Sequence, residues 1–145
     1  MIKNKISLNE AIKFHGHLGP YLVLGVLAGE LALNKLKCEK YFGLDVNVQG
    51  VDKKPKSCFI DGLQLSTGAT YGKGNIKKSA GRKIKVEFRG RDDKKKISLI
   101  FKNSLVRKLT ALKTHKDSEI LARELYNNRT DCHKFFKLMT GNGQA

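Results

Sequence analysis

The residues best suited to chemistry begin with His15 and His17, one glycine apart in the run Phe14-His15-Gly16-His17-Leu18-Gly19-Pro20. Imidazole is the commonest metal ligand and titrates near neutral pH, so the two histidines read as a metal pair or an acid–base pair. A regular helix would point the rings about 200° apart. Gly16 and Gly19 permit the turn that brings both to one side. The competing reading is one solvated histidine and one buried ring whose nitrogens are satisfied within the core. Pro20 suits the first turn of a following helix, whose free N–H groups favour an anion or a thiolate nearby.

Cys58 is the next candidate. It stands at the start of a predicted helix, where a thiol pKa tends to fall, and the thiolate is the form that attacks or binds metal. The alternative is a buried, inert cysteine. Asp61, three residues on, shares a helix face with Cys58 and is read either as a partner behind a histidine or as an exposed acid. The run Gly68-Ala69-Thr70-Tyr71-Gly72-Lys73-Gly74-Asn75 is glycine-rich without matching a Walker A motif. Its backbone N–H groups suit an anion nest with Lys73 as countercharge, or simply a tight surface loop. Cys132 and His133 are adjacent on a predicted helix and do not face each other, and Cys38 reads as packing.

The elements that must position these groups follow from local signals. Ser7 and Glu10 form a capping box opening a short helix that runs to about His15. Pro20 opens a second helix reaching about Lys37, apolar nearly all round and carrying Gly25, Ala28, Gly29 and Ala32 as small gaps, which predicts burial in a core or across a dimer seam. Val46 and Val48 mark a strand, with Val51 near its end. Ser57 and Gly68 bracket a helix from Cys58 to about Thr67. Ile84, Val86 and Phe88, then Ile97, Leu99 and Phe101, alternate with polar residues around a turn at Gly90 to Lys94, the pattern of an antiparallel hairpin. Helices are predicted over Ser104 to Thr114, Ser118 to Asn127 and Thr130 to Thr140. The order predicts an α+β fold, with helices on a small antiparallel sheet, as a single domain over residues 1–145.

The bulk numbers bound the rest. A chain of 145 residues buries roughly 70% of its unfolded surface. The longest apolar run, Leu18 to Ala32, contains Glu30 and is shorter than the ~20 residues of a membrane span. The start carries no apolar leader core, and a cytoplasmic protein is expected. Three cysteines without a Cys-x-x-Cys pair argue against a disulfide framework or a zinc finger. The net charge of +16 permits a nucleic-acid partner, an acidic membrane surface or an anionic cofactor. Lysine dominates arginine, however, which fits a solvated surface better than bidentate phosphate readout. Lys53-Lys54, Lys77-Lys78 and Lys94-Lys95-Lys96 are read as part of that surface, at turns.

In order, the His-Gly-His turn, the Gly25/Gly29 helix, Cys58-Phe59-Ile60-Asp61-Gly62 and Thr67-Gly68-Ala69-Thr70-Tyr71-Gly72-Lys73-Gly74-Asn75 resemble the core domain of the FmdE-like family, the FmdE component of formylmethanofuran dehydrogenase and its relatives. The resemblance covers roughly Leu8 to Gly90. It implies an α+β core forming an intertwined homodimer, with the histidine turn, the helix cysteine and the glycine-rich loop around one cavity associated with metal binding. It implies a metal-binding or redox accessory role linked to formylmethanofuran dehydrogenase and one-carbon metabolism, in which the FmdE component is not the catalytic one. Many members carry Cys where Gly19 and Ala69 stand and append a cysteine-rich zinc finger, whereas the C-terminal segment here has only Cys132. His15, His17 and Cys58 then remain as ligands, a set that suits a zinc-like divalent metal with one open position and not an iron–sulfur cluster. Thr70, Lys73 and Asn75 are expected to hold the anionic part of a ligand, with Asp61 behind the metal ligands. Docking on a larger oxidoreductase through the apolar helix is a further partner expectation.

Overall fold

The computed structural model describes residues 5–141. Two helices, α1 (Leu8–His15) and α2 (Pro20–Leu36), lead into strand β1 (Leu44–Gln49) and helix α3 (Cys58–Thr67). Strands β2 (Ile76–Ser79), β3 (Lys85–Gly90) and β4 (Lys96–Phe101) follow, then helices α4 (Asn103–Thr110) and α5 (His115–Asn127). A 3-10 turn over Arg129–Lys134 and strand β5 (Phe136–Gly141) complete the chain. The sheet order is β2-β1-β3-β4-β5.

The local signals act as expected at the front of the chain. The Ser7 hydroxyl accepts from the Glu10 N–H, and the Glu10 carboxylate accepts from the Ser7 N–H. Helix α2 begins on Pro20, and α3 closes on Gly68 at φ +76°. The β3–β4 hairpin is antiparallel, with Phe88 opposite Ile97 and Val86 opposite Leu99. These residues face the helices together with Val46, Val48 and Ile76, so one side of the sheet supplies the core.

Two expectations are corrected, and of the two alternatives for α2 the structure shows burial in the core. The sheet is mixed, because β2 runs parallel to β1 while the other pairs are antiparallel. Strand β2 exposes both of its lysines, so it shows little hydrophobic alternation. The helix expected over Thr130 to Thr140 is instead the 3-10 turn followed by edge strand β5, of which only Phe136 is buried. An edge strand with one inward anchor leaves almost no periodic signal. The small residues of α2 do not form a free seam: Gly25 lies against the backbone of Phe59, Gly62 and Leu63, and Gly29 against Ser66. Helix α2 is buried within the chain, against α3 and α5. Its only acid, Glu30, is buried too and accepts the Ile6 N–H at 2.6 Å.

No single helix among the described residues is long and apolar enough to cross a membrane. Helices α1 and α2 pass that test only as a pair, and they are bent by 119° at the His-Gly-His turn.

Candidate functional site

The α2–α3 contact brings the histidine turn to Cys58 and Asp61. A side chain on Gly62 would collide with the Leu22 carbonyl, so the N-terminal halves of α2 and α3 touch backbone to backbone. Residues just before α2 and at the start of α3 therefore meet. Gly16 ends α1 in the left-handed region at φ +107°, donating its N–H to the Ile12 carbonyl, and turns the chain sharply there. The rings of His15 and His17 end up with centroids 4.7 Å apart and planes inclined at 51°.

His15 is fixed. Its Nδ1 lies 2.6 Å from Asp61 Oδ2, and its side chain is only 10% exposed. An ionised carboxylate can only accept, so the Nδ1–H donates to Asp61. The other ring nitrogen, Nε2, is buried and has no hydrogen-bond partner. A carboxylate-held imidazole with a free second nitrogen is the usual support for a metal-binding or proton-accepting ring. His17, by contrast, is exposed.

Cys58 borders two clefts that meet beside it. One, of about 830 Å³, is lined by His15, Cys58 and Asp61 together with Lys54, Lys77 and Lys78. The other, of about 380 Å³, runs past His17, Pro20 and Cys58 to Leu109, Lys113 and His115 at the start of α5. The paired rings and the thiol thus share one region. Among the described residues, however, no three His, Cys, Asp or Glu side chains are gathered closely enough to hold a metal ion. The donor types fit a divalent metal; their present spacing makes an imidazole pair and not a complete three-ligand cage.

The helix-start argument for a lowered Cys58 thiol pKa does not hold. Burial pushes this thiol up, the Asp61 carboxylate adds to that rise, and Lys54 offsets part of it. Asp61→Asn should therefore lower the midpoint of the pH profile for Cys58 alkylation, while Lys54→Ala should raise it. Iodoacetamide labelling across pH 7–10 followed by mass spectrometry measures both. Midpoints that do not move would show that neither charge acts on the thiol.

Of the glycine-rich loop, Tyr71 lines the cleft that holds His15, whereas Thr70, Lys73 and Asn75 do not. Asn75 is buried: its Oδ1 accepts the Thr70 N–H and its Nδ2 donates to the Tyr41 carbonyl. The Thr70 hydroxyl accepts the Lys73 N–H. The Lys73 ammonium sits over the rings of Tyr41 and Phe42, at 5.9 and 5.4 Å. Thr70 and Lys73 border a separate hollow of about 300 Å³ with Phe14 and Tyr41. Two of the three predicted anion ligands are therefore engaged in holding their own loop. Ala69 is fully buried and lines none of these clefts.

Sequence reading did not place Lys54, Lys77, Lys78 or His115 at these clefts, whose walls they line. The lysines were visible only as charge at turns, and nothing local links His115 to a turn about a hundred residues earlier.

The family described as FmdE, Molybdenum formylmethanofuran dehydrogenase operon, matches residues 14–136. A probable S-adenosyl-L-methionine-binding protein of Archaeoglobus fulgidus is 33% identical over 70 residues, which is 48% of this chain and 19% of that protein. The match thus spans about a fifth of that relative's length. The crystal structure of a tungsten formylmethanofuran dehydrogenase FmdE-like protein from Syntrophus aciditrophicus is similar with a TM-score of 0.62 at 16% identity. The alignment covers 98% of this chain and 77% of the other, and it shows a common fold.

Proposed function

The chain belongs to the FmdE family, and from that premise we propose that it is a metal-binding accessory protein linked to formylmethanofuran dehydrogenase and one-carbon metabolism. The observation that carries this reading is His15: Asp61 holds its Nδ1 at 2.6 Å, while its buried Nε2 is unpartnered at a cleft shared with Cys58. His15 and His17 would hold a divalent ion, zinc by its preference for nitrogen and sulfur, with Cys58 as the third donor. Such an ion, when bound, supplies Lewis acidity toward a carbonyl or a water. The protein's own contribution is to fix the His15 ring through Asp61 and to leave Cys58 and His17 on either side of it.

Metal analysis of the purified protein tests the reading. Near-stoichiometric metal, lost on joint replacement of His15 and His17 by alanine, is expected. Less than about a tenth of an equivalent, unchanged in that variant, would overturn it, because a genuine site follows its ligands.

A docking role is favoured by a separate observation. Phe14, Tyr41 and Phe42 are 52%, 54% and 65% exposed, beside Lys40 and Lys73, and this apolar rim suits a larger oxidoreductase or a second copy in a homodimer. Size-exclusion chromatography of the protein drawn from its host reports this. A lone monomer without a co-eluting partner would remove the docking reading and leave the metal reading standing.

A further inference from the structure

We infer that the larger cleft binds a small organic polyanion, a compound bearing two or more phosphate or carboxylate charges, with its uncharged end over His15 and Cys58. The inference rests on the site proposed above and names the ligand class that site would take. Lys54, from the loop before α3, and Lys77 and Lys78, from β2, line the same cleft. No ion-pair partner stands within reach of any of the three among the described residues. Asp61 is the only acid among the described lining residues, and its Oδ2 is already taken by His15 Nδ1.

Three lysines border one cleft in a chain that carries a net charge of +16, so an anion in the cleft is drawn by the lysines around it and by the field of the whole molecule. Lysines act as flexible point charges and therefore suit phosphate and carboxylate oxygens in several geometries, without the planar fork that arginine would impose. The cleft volume of about 830 Å³ lies within the range of small-molecule sites. Ser57, Gln64 and Tyr71 add polar groups to its walls, while Ile60 and Ile76 supply apolar surface for a carbon skeleton. The buried Nε2 of His15 is an independent sign of an occupant. A buried polar nitrogen without a hydrogen-bond partner is costly unless a ligand meets it.

Isothermal titration at fixed ionic strength, with pyrophosphate and tricarballylate as probes, tests the inference on the full chain. Both should bind saturably. The Lys54→Ala, Lys77→Ala, Lys78→Ala triple variant should weaken them by at least about tenfold, the loss expected when several charge contacts to one anion go. A matched triple replacement of Lys94, Lys95 and Lys96, exposed or half-buried at the β3–β4 turn, should leave binding unchanged. Equal losses in the two triples would show only diffuse attraction to positive charge and would overturn the site, as would the absence of saturable binding. A single-stranded oligonucleotide binding more tightly per phosphate than either probe would overturn it in favour of nucleic acid. Polyanion binding should survive joint replacement of His15 and His17, so failure here is distinguishable from failure of the metal reading.

Discussion

Replacing Gly25 by alanine is expected to destabilise the fold by about 3 kcal/mol, a fall on the order of 10 °C in Tm for a chain of this size. The reason is where the added carbon would go. It would stand 2.2 Å from the Phe59 carbonyl oxygen, and 2.8 Å from both Gly62 Cα and the Leu63 nitrogen. All three are backbone atoms of α3, which no rotamer change can move. The helices would have to separate, and the Ser66 hydroxyl, which donates to the carbonyls of Gly62 and Gly25, would lose its place between them. Gly62→Ala should behave alike, since its added carbon meets the Leu22 carbonyl at 2.2 Å. Gly72→Ala is the control. Its nearest neighbour would be 3.9 Å away, and a change within about 0.5 kcal/mol is expected there. Thermal or urea unfolding of the three variants measures the difference. A Gly25→Ala protein as stable as the control would mean that the two helices do not touch as described. The same contact holds Cys58 and Asp61 beside the histidine turn, so Gly25→Ala should also loosen the site.

Introducing a thiol at position 19 should raise the affinity for Zn(II) or Co(II) on the order of 100-fold, the upper end of what an added supporting group is worth to a metal site. Gly19 has an extended backbone, φ −144°, so a side chain costs no strain. Its first carbon would lie 3.5 Å from His17 Cε1 and 3.9 Å from His17 Nδ1, which is ordinary contact. A sulfur one bond further on can share an ion with that ring, since zinc sits about 2.3 Å from sulfur and about 2.0 Å from nitrogen. The substitution would add a donor to an imidazole pair that, among the described residues, no third residue now closes. Titration with Co(II) reads the outcome directly. The sulfur-to-cobalt charge-transfer band should be stronger in Gly19→Cys than in the unmodified protein, and the gain should be lost when His17 is also replaced. An unchanged affinity with no added band would mean that a thiol at position 19 cannot share an ion with His17.

Much of the front of the molecule could be read from residues alone, because the signals there are short-range. The Ser7–Glu10 box, Pro20 at a helix start and Gly68 at a helix end each act within one turn of backbone. The alternation of Val86 and Phe88 against Ile97 and Leu99 is likewise contained in one hairpin. The candidate site was legible as types and spacing: His15 and His17 about a glycine hinge, and Asp61 one turn after Cys58.

Tertiary structure decided what lies between them. The His15–Asp61 contact joins residues 46 apart, and it exists because Gly25 and Gly62 let two helix backbones touch. The same packing determined that Cys58 would be raised in pKa by burial instead of lowered by its helix. It also placed Asn75 inside the loop and directed Lys73 onto aromatic rings, while three lysines that had looked like surface charge came to line the cleft. Strands β2 and β5 belong to this second kind of information, since an edge strand is held by its neighbour's hydrogen bonds more than by its own apolar pattern. Spacing and residue type determine which groups are available and how each short segment folds; which groups face a common hollow depends on long-range packing that no local pattern encodes.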